Sequence, residues 1–179
     1  MLFDKLYPDE CCESAYDIDY EAHYSKGYRG IIFDIDNTLV EHGYPADARS
    51  KRLLSELDSI GFKILFLSNN KESRVKSFRD EGAPFGYYIY KAGKPKRAGY
   101  FKAAEMMGIG IESILFVGDQ LFTDVWGARN AGIYSILVNP IDPHEEIQIV
   151  LKRVLERFVL IFYRMKLRRE GRKVPNLKR

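Results

Sequence analysis

Two cysteines, one tryptophan and no apolar run longer than Phe158 to Tyr163 set the first limits on this 179-residue chain. A run that short falls far below the roughly 20 residues a membrane-spanning helix needs. The cysteines, Cys11 and Cys12, are adjacent. Neighbouring thiols rarely bond each other, and two sulfurs alone do not complete a tetrahedral metal site. They read as ordinary side chains of a reduced, cytoplasmic protein. A secretory or mitochondrial leader is also not expected. The N-terminal stretch carries Asp4, Asp9, Glu10, Glu13, Asp17, Asp19 and Glu21, where such leaders are basic and poor in acids. Internal repeats and low-complexity tracts are missing too, so one compact unit is expected rather than an array or a linker.

What is present supports a packed core. The chain is 46% hydrophobic and 13% aromatic, which suits one domain with an extension. Its net charge of +3 conceals an asymmetry. Residues 152–179 hold eleven basic and two acidic side chains, a net +9, which leaves −6 for the rest. An acidic body with a basic tail calls for a polyanionic partner or surface. The expected organisation is an N-terminal extension over 1–28, a core over 29–141 and a basic amphipathic extension over 142–179.

Short apolar runs recur through the core. Ile31 to Phe33 ends in Asp34, and Ile64 to Leu67 ends in Ser68. Tyr87 to Tyr90, Ile114 to Val117 and Tyr134 to Val138 follow. Continuous runs of this length suit strands buried on both faces of a parallel sheet. Helical signals lie between them. Leu53, Leu54, Leu57 and Ile60 share a face and Gly61 follows as a stop. Asn70 and Thr123 are candidate caps, Pro95 is placed for a first turn, and Asp142-Pro143-His144-Glu145 has the pattern of a capping box. Strand and helix alternate five times, which predicts a doubly wound α/β fold. In such sheets ligands bind beyond the carboxyl ends of the strands.

The reactive residue types gather at those ends. Asp34 and Asp36 can face one pocket as the chain leaves the first strand. One carboxylate could attack phosphorus while the other protonates the leaving oxygen and later activates water. A plain solvated turn is the alternative for this pair alone. Asp119 and Asp124 follow the fourth strand and add hard oxygen donors of the kind magnesium prefers. Ser68-Asn69-Asn70 offers a hydroxyl and backbone N–H groups at a helix start, a setting that suits phosphate, although an ordinary cap looks the same. Lys94 could hold a phosphate and the charge of Asp34, or simply be exposed.

Together, Asp34-x-Asp36-x-Thr38, Ser68, Lys94-Pro95 and Asp119 with Asp124 resemble the four ordered motifs of the haloacid dehalogenase (HAD) superfamily of phosphatases. The resemblance spans residues 29–139. It implies a HAD-type Rossmann-like core with Asp34 as nucleophile and Asp36 as general acid/base. It implies Mg²⁺ held by Asp34, the Asp36 carbonyl and Asp119 with support from Asp124. Ser68, Asn69, Lys94 and Thr38 are the implied phosphate-side residues. Asp36 also argues for phosphoryl transfer, because superfamily members that cleave carbon–halogen bonds lack it. The intervals Asp36–Ser68 and Ser68–Lys94 leave no room for a cap domain, so an open site and a large substrate are expected. Gly118-Asp119-Gln120-x-x-Thr123-Asp124-x-x-Gly127, with Leu6-x-Pro8 and the basic tail, is similar to the class III-A, phosphatidylglycerophosphatase-like branch.

The tail adds a partner. Ile147, Leu151, Val154, Leu155, Phe158, Phe162 and Met165 form one helical stripe amid basic residues. Such a helix can lie in an anionic membrane interface, or its stripe can pack on the sheet. The expected activity, on that resemblance, is Mg²⁺-dependent hydrolysis of phosphatidylglycerophosphate through an aspartyl-phosphate, at the inner membrane face. The alternatives are a protein, nucleic-acid or soluble phosphate substrate, or a non-enzymatic scaffold that binds RNA or a ribosome. Nucleic acid is disfavoured because no recognised RNA-binding module is present.

Overall fold

The computed structural model describes residues 4–142, 147–172 and 174–175. Six strands form one fully parallel sheet: β1 (Glu10–Cys12), β2 (Gly30–Phe33), β3 (Lys63–Leu67), β4 (Tyr87–Ile89), β5 (Ile114–Gly118) and β6 (Tyr134–Val138). Their order is β1-β6-β5-β2-β3-β4. The five expected strands are all present. The sixth, β1, comes from the segment read as an N-terminal extension. Its register on β6 is fixed by Asp9, which accepts from the Ser135 N–H and pairs with Arg129.

The helices are α1 (Tyr20–Ser25), α2 (Ala48–Ile60), α3 (Glu72–Gly82), α4 (Ala98–Met107), α5 (Trp126–Ala131) and α6 (Ile147–Arg169). The alternation of each strand sorts its side chains onto two faces. Ile31, Phe33, Ile64, Phe66, Leu115 and Val117 pack against α2 and α3 through Leu54, Leu57, Val75 and Phe78. Ile32, Leu65, Leu67, Ile114 and Phe116 pack against α4 and α5 through Tyr100, Ala103 and Ala128. This is the expected doubly wound architecture. Between β2 and β3 the chain makes only a loop and α2, and between β3 and β4 only α3.

Three local expectations change. The Asn70 side chain does not cap α3: Lys71 is the N-cap, and the Asn70 amide reaches Asp36 instead. Pro95 precedes α4 by three residues rather than standing in its first turn. Thr123 caps nothing; it lies inside a five-residue π-helical turn, Leu121–Val125. The capping signal Asp142 to Glu145 falls, after Asp142, outside the described residues, as do the side chains of Ile147 and Leu151.

The α6 helix presents two apolar faces. Val159, Leu160, Tyr163 and Leu167 are buried against Leu121, Val125 and Leu137. Val154, Leu155, Phe158, Ile161, Phe162 and Met165 point to solvent, Phe158 at 58% and Phe162 at 56% exposure. The face that packs on the body is thus the one adjacent to the expected stripe, and the described part of the stripe faces outward.

Candidate active site

The order of the strands creates the site. The chain runs outward from β2 through β3 to β4, then crosses back to β5 and β6. The switch therefore falls between β2 and β5, where a crevice opens beyond the strand ends. A cavity of about 330 Å³ lies there, lined by Asp34, Asp36, Ser68, Asn69 and Lys94 together with Asn37, His42, Asn70, Gln120 and Thr123.

The first acidic segment is a tight turn. Asp34 donates its N–H to the Val117 carbonyl and so extends β2 by one residue along β5. The Ile35 carbonyl then accepts from Thr38 and Leu39. Asn37 sits at φ 63°, a left-handed conformation that asparagine tolerates better than most residues. The turn keeps Asp34 and Asp36 on one cavity.

Their environments differ. Asp34 is buried and receives a 2.5 Å bond from Lys94 Nζ. The same ammonium reaches Asp124 Oδ1 at 2.7 Å. Burial pushes the Asp34 carboxyl well above the ordinary carboxylate range; Lys94 opposes this, while Asp124 and Asp119 reinforce it. Burial alone would strip the charge from Lys94, but Asp124 and Asp34 more than reverse that and hold it charged. Asp36 is pulled the other way. Burial would raise its carboxyl too, yet the Gly43 N–H at 2.9 Å, Arg74 Nη2 at 2.8 Å and the Asn70 amide at 3.3 Å together hold it below the usual range.

The fourth-strand acids stand behind the cavity. Asp119 is fully buried and accepts from the Thr38 hydroxyl at 3.3 Å. Thr38 therefore stands behind the acids and does not line the cavity. Asp124 folds back so that its Oδ2 accepts from the Gln120 N–H at 3.0 Å. This return needs Gly118, because a Cβ there would come within 2.6 Å of Asp124 Oδ2. Asn69 clamps Lys94 from both sides, accepting from its N–H at 2.7 Å and donating to its carbonyl at 3.2 Å. Ser68 Oγ accepts from the Asn70 N–H at 3.1 Å and faces the cavity. Lys91, three positions before Lys94, is exposed.

Asp34, Asp119 and Asp124 each offer a carboxylate oxygen within 4.8 Å of the others. These are hard, buried oxygen donors, and Lys94 offsets only part of their charge. Their chemistry fits a divalent cation such as Mg²⁺.

Six contributors carry no sequence signal for these positions: Arg74, the Asn70 amide, Asn37, His42, Gln120 and Thr123. Arg74 lies in the first turn of α3, among charged residues of the kind that ordinarily mark a solvated face. Gln120 was quoted only as part of a longer motif.

With the geometry in hand, the family is clear. Residues 42–132 match the model of the haloacid dehalogenase-like hydrolase family. The chain is 37% identical over 162 residues to the "Probable phosphatase YqeG" of Bacillus subtilis, a match covering 89% of this chain and 92% of that protein. The chain belongs to the haloacid dehalogenase-like hydrolase family, and it is a phosphatase. It is also 29% identical over 147 residues to "Phosphatidylglycerophosphate phosphatase 1, chloroplastic/mitochondrial" of Arabidopsis thaliana. That alignment covers 72% of this chain but only 39% of the plant protein. Among solved structures, an uncharacterized protein from Corynebacterium glutamicum aligns with a TM-score of 0.52 at 18% identity, covering 73% of this chain and 94% of that one. It supports the fold.

Proposed function

We propose that this phosphatase hydrolyses phosphomonoesters through an aspartyl-phosphate on Asp34, with Mg²⁺ as cofactor and a phosphorylated lipid as substrate. The observation that carries the chemistry is the pair Asp34 and Asp36 on one cavity, in opposite environments and flanked by Lys94 and Ser68.

Asp34, Asp119 and Asp124 would hold the cation, joined by the Asp36 carbonyl. Bound there, it would neutralise charge on the phosphoryl oxygens and on the nucleophile. The Lys94 ammonium and Ser68 hydroxyl bind the transferring phosphoryl group, and Asn69 fixes Lys94. An Asp34 oxygen forms a bond to phosphorus as the bond to the ester oxygen breaks. The departing oxygen keeps the electron pair and takes a proton from the Asp36 carboxyl. Asp36, again a carboxylate, then accepts a proton from water as that water attacks phosphorus. The phosphorus–Asp34 bond breaks and its electron pair returns to the carboxylate. The resting Asp36, held by Arg74, Asn70 and the Gly43 N–H, has the form the second step needs. A substrate monoanion, with a phosphate pKa near 6, brings the proton for the first.

Two features support the lipid. The similarity to the plant protein, named for phosphatidylglycerophosphate, points to that substrate class. The outward face of α6 also puts Phe158, Ile161, Phe162 and Met165 in water beside Arg157, Arg164, Lys166, Arg168 and Arg169. Apolar side chains flanked by cations match an anionic leaflet. A second copy of this face would set like charges against each other. No helix of the described residues is long and apolar enough to cross a membrane.

The test is phosphate release from a panel of esters with and without Mg²⁺, including phosphatidylglycerophosphate in anionic vesicles. Deleting the tail would be a poor control, since Val159, Leu160, Tyr163 and Leu167 are core. Phe158→Ser with Phe162→Ser removes only exposed groups. The expected result is lost vesicle binding and slower lipid hydrolysis, with a soluble aryl phosphate hydrolysed at the wild-type rate. Unchanged vesicle binding would refute the docking face. Failure of the wild-type chain to release phosphate from the lipid would refute the substrate.

A further inference from the structure

The segment that carries Asp119 and Asp124 is an irregular one. After Gly118-Asp119-Gln120 the chain makes the π-helical turn Leu121–Val125, closed by Asp124 N–H and Val125 N–H to the Gln120 carbonyl. The first N–H groups of any helical turn have no acceptor within it. Two carboxylates serve here. The Gln120 N–H goes to Asp124 Oδ2, within the turn itself. The Leu121 N–H goes to Glu156 Oε1 at 2.7 Å, from α6, 35 positions further along the chain.

Glu156 is 2% exposed. It shares a face of α6 with Val159, Leu160 and Tyr163, which cluster with Leu121, Val125 and Leu137, apolar side chains that would pack α6 on the body without any acid. Burying a carboxylate is costly unless it is hydrogen-bonded, and an ionised acceptor makes a stronger bond to an N–H than a neutral one does. The placement at Leu121 is therefore informative. Leu121 follows Gln120, which lines the cavity, and opens the turn whose far end returns Asp124 to Lys94. Tyr100 supports the same turn from α4, donating its hydroxyl to the Thr123 carbonyl at 3.0 Å.

We propose that Glu156 is a positioning residue. By holding the Leu121 N–H it fixes the separation of Asp119 and Asp124, so that α6 forms part of the metal-binding unit. The matched family segment ends at residue 132, well before it. This inference rests on the metal reading of Asp34, Asp119 and Asp124.

The test measures Mg²⁺ binding to the metal-free full chain by calorimetry, alongside far-UV circular dichroism and phosphate release from an aryl phosphate. Glu156→Gln keeps an oxygen acceptor and should bind Mg²⁺ within a few-fold of wild type. Glu156→Ala removes it and should weaken binding by about 10- to 100-fold, the usual effect of losing a group that orients metal ligands. Its kcat should fall with KM for the aryl ester unchanged. If the alanine variant does not fold, Glu156→Asp decides: it keeps the charge but draws the acceptor back by one methylene, and it should bind Mg²⁺ about tenfold more weakly. Wild-type affinity in folded Glu156→Ala, or in Glu156→Asp, overturns the proposal. So does a glutamine variant as weak as the alanine one, because charge rather than the bond to Leu121 would then matter. A wild-type chain that binds no Mg²⁺ overturns the metal reading itself, and this inference with it.

Discussion

Replacing Asp34 by asparagine should stop turnover and at the same time stabilise the metal-free protein. The side chain is buried beside Asp119 and Asp124, with Lys94 the basic partner bonded to it. Three carboxylates and one ammonium leave two negative charges uncompensated by Lys94. The raised carboxyl of Asp34 gives the sign. A group whose folded pKa lies above its unfolded value favours folding at low pH, and that contribution is lost as pH rises through the folded value. Above the unfolded value, a carboxyl at this position therefore works against the fold. The amide removes that charge and leaves Lys94 on Asp124. A single stabilising substitution is commonly worth about 0.5–2 kcal/mol. For a domain of this size that corresponds to a rise in Tm of about 1–8 °C. Thermal melts in chelator and in excess Mg²⁺, read beside phosphate release, check both halves. Mg²⁺ should raise the wild-type melting point more than that of the variant, which has one ligand fewer. A folded Asp34→Asn chain that melts below wild type in chelator would show that the Asp34–Lys94 pair is net stabilising, and the charge argument would fail. Retained turnover would remove the nucleophile.

Arg74→Ala should cost about 1.5–3 kcal/mol at pH 7 in chemical denaturation, since it takes a charged donor from a largely buried Asp36. Because the folded Asp36 carboxyl is depressed, its stabilisation is present above the ordinary value of 3.8 and lost as pH falls through the folded one. The gap between wild type and variant should therefore close below that pH; a gap independent of pH would contradict the pairing. Cys12 should resist alkylation. Burial, reinforced by Glu10, pushes its thiol up to about 12, so the thiolate fraction at neutral pH is about a thousandfold below that of a thiol at 9.0. Rapid iodoacetamide labelling at Cys12, read by peptide mass spectrometry, would contradict that environment.

Much of the fold was legible because a parallel sheet imposes a simple pattern. β2, β3, β5 and β6 are short apolar runs, and burial on both faces leaves them no alternation to blur. β1 was not legible. Glu10-Cys11-Cys12 is brief, half-buried and acidic at its start, and its place at the sheet edge depends on Asp9 meeting Ser135 and Arg129, more than a hundred positions away. Which face of α6 covers the body stayed open for a related reason. Leu155, Phe158 and Phe162 form as good a helical stripe as Val159, Leu160 and Tyr163. Periodicity reports that a stripe exists, while only the shape of the body decides which one it covers.

The candidate site divides along the same line. Asp34, Ser68 and Asp119 sit at or just beyond strand ends, so the sheet alone brings them to one edge, and a reader of the strands finds them. Lys94 follows from its loop and from the clamp that Asn69 makes. Arg74 and Glu156 obey no such rule. Each stands inside a helix among other charges, where the ordinary expectation is a solvated face. What makes them different is a partner supplied by tertiary packing: Asp36 for Arg74, and the Leu121 N–H for Glu156. The acids and the hydroxyl at the strand ends were placed by the topology of the sheet, and topology leaves a trace in the order of apolar runs. Groups that aim them were placed by contacts between helices and loops, and those contacts leave no local pattern. In this chain Arg74 of α3 and Glu156 of α6 are of that second kind, and neither position alone gives a sign of its partner.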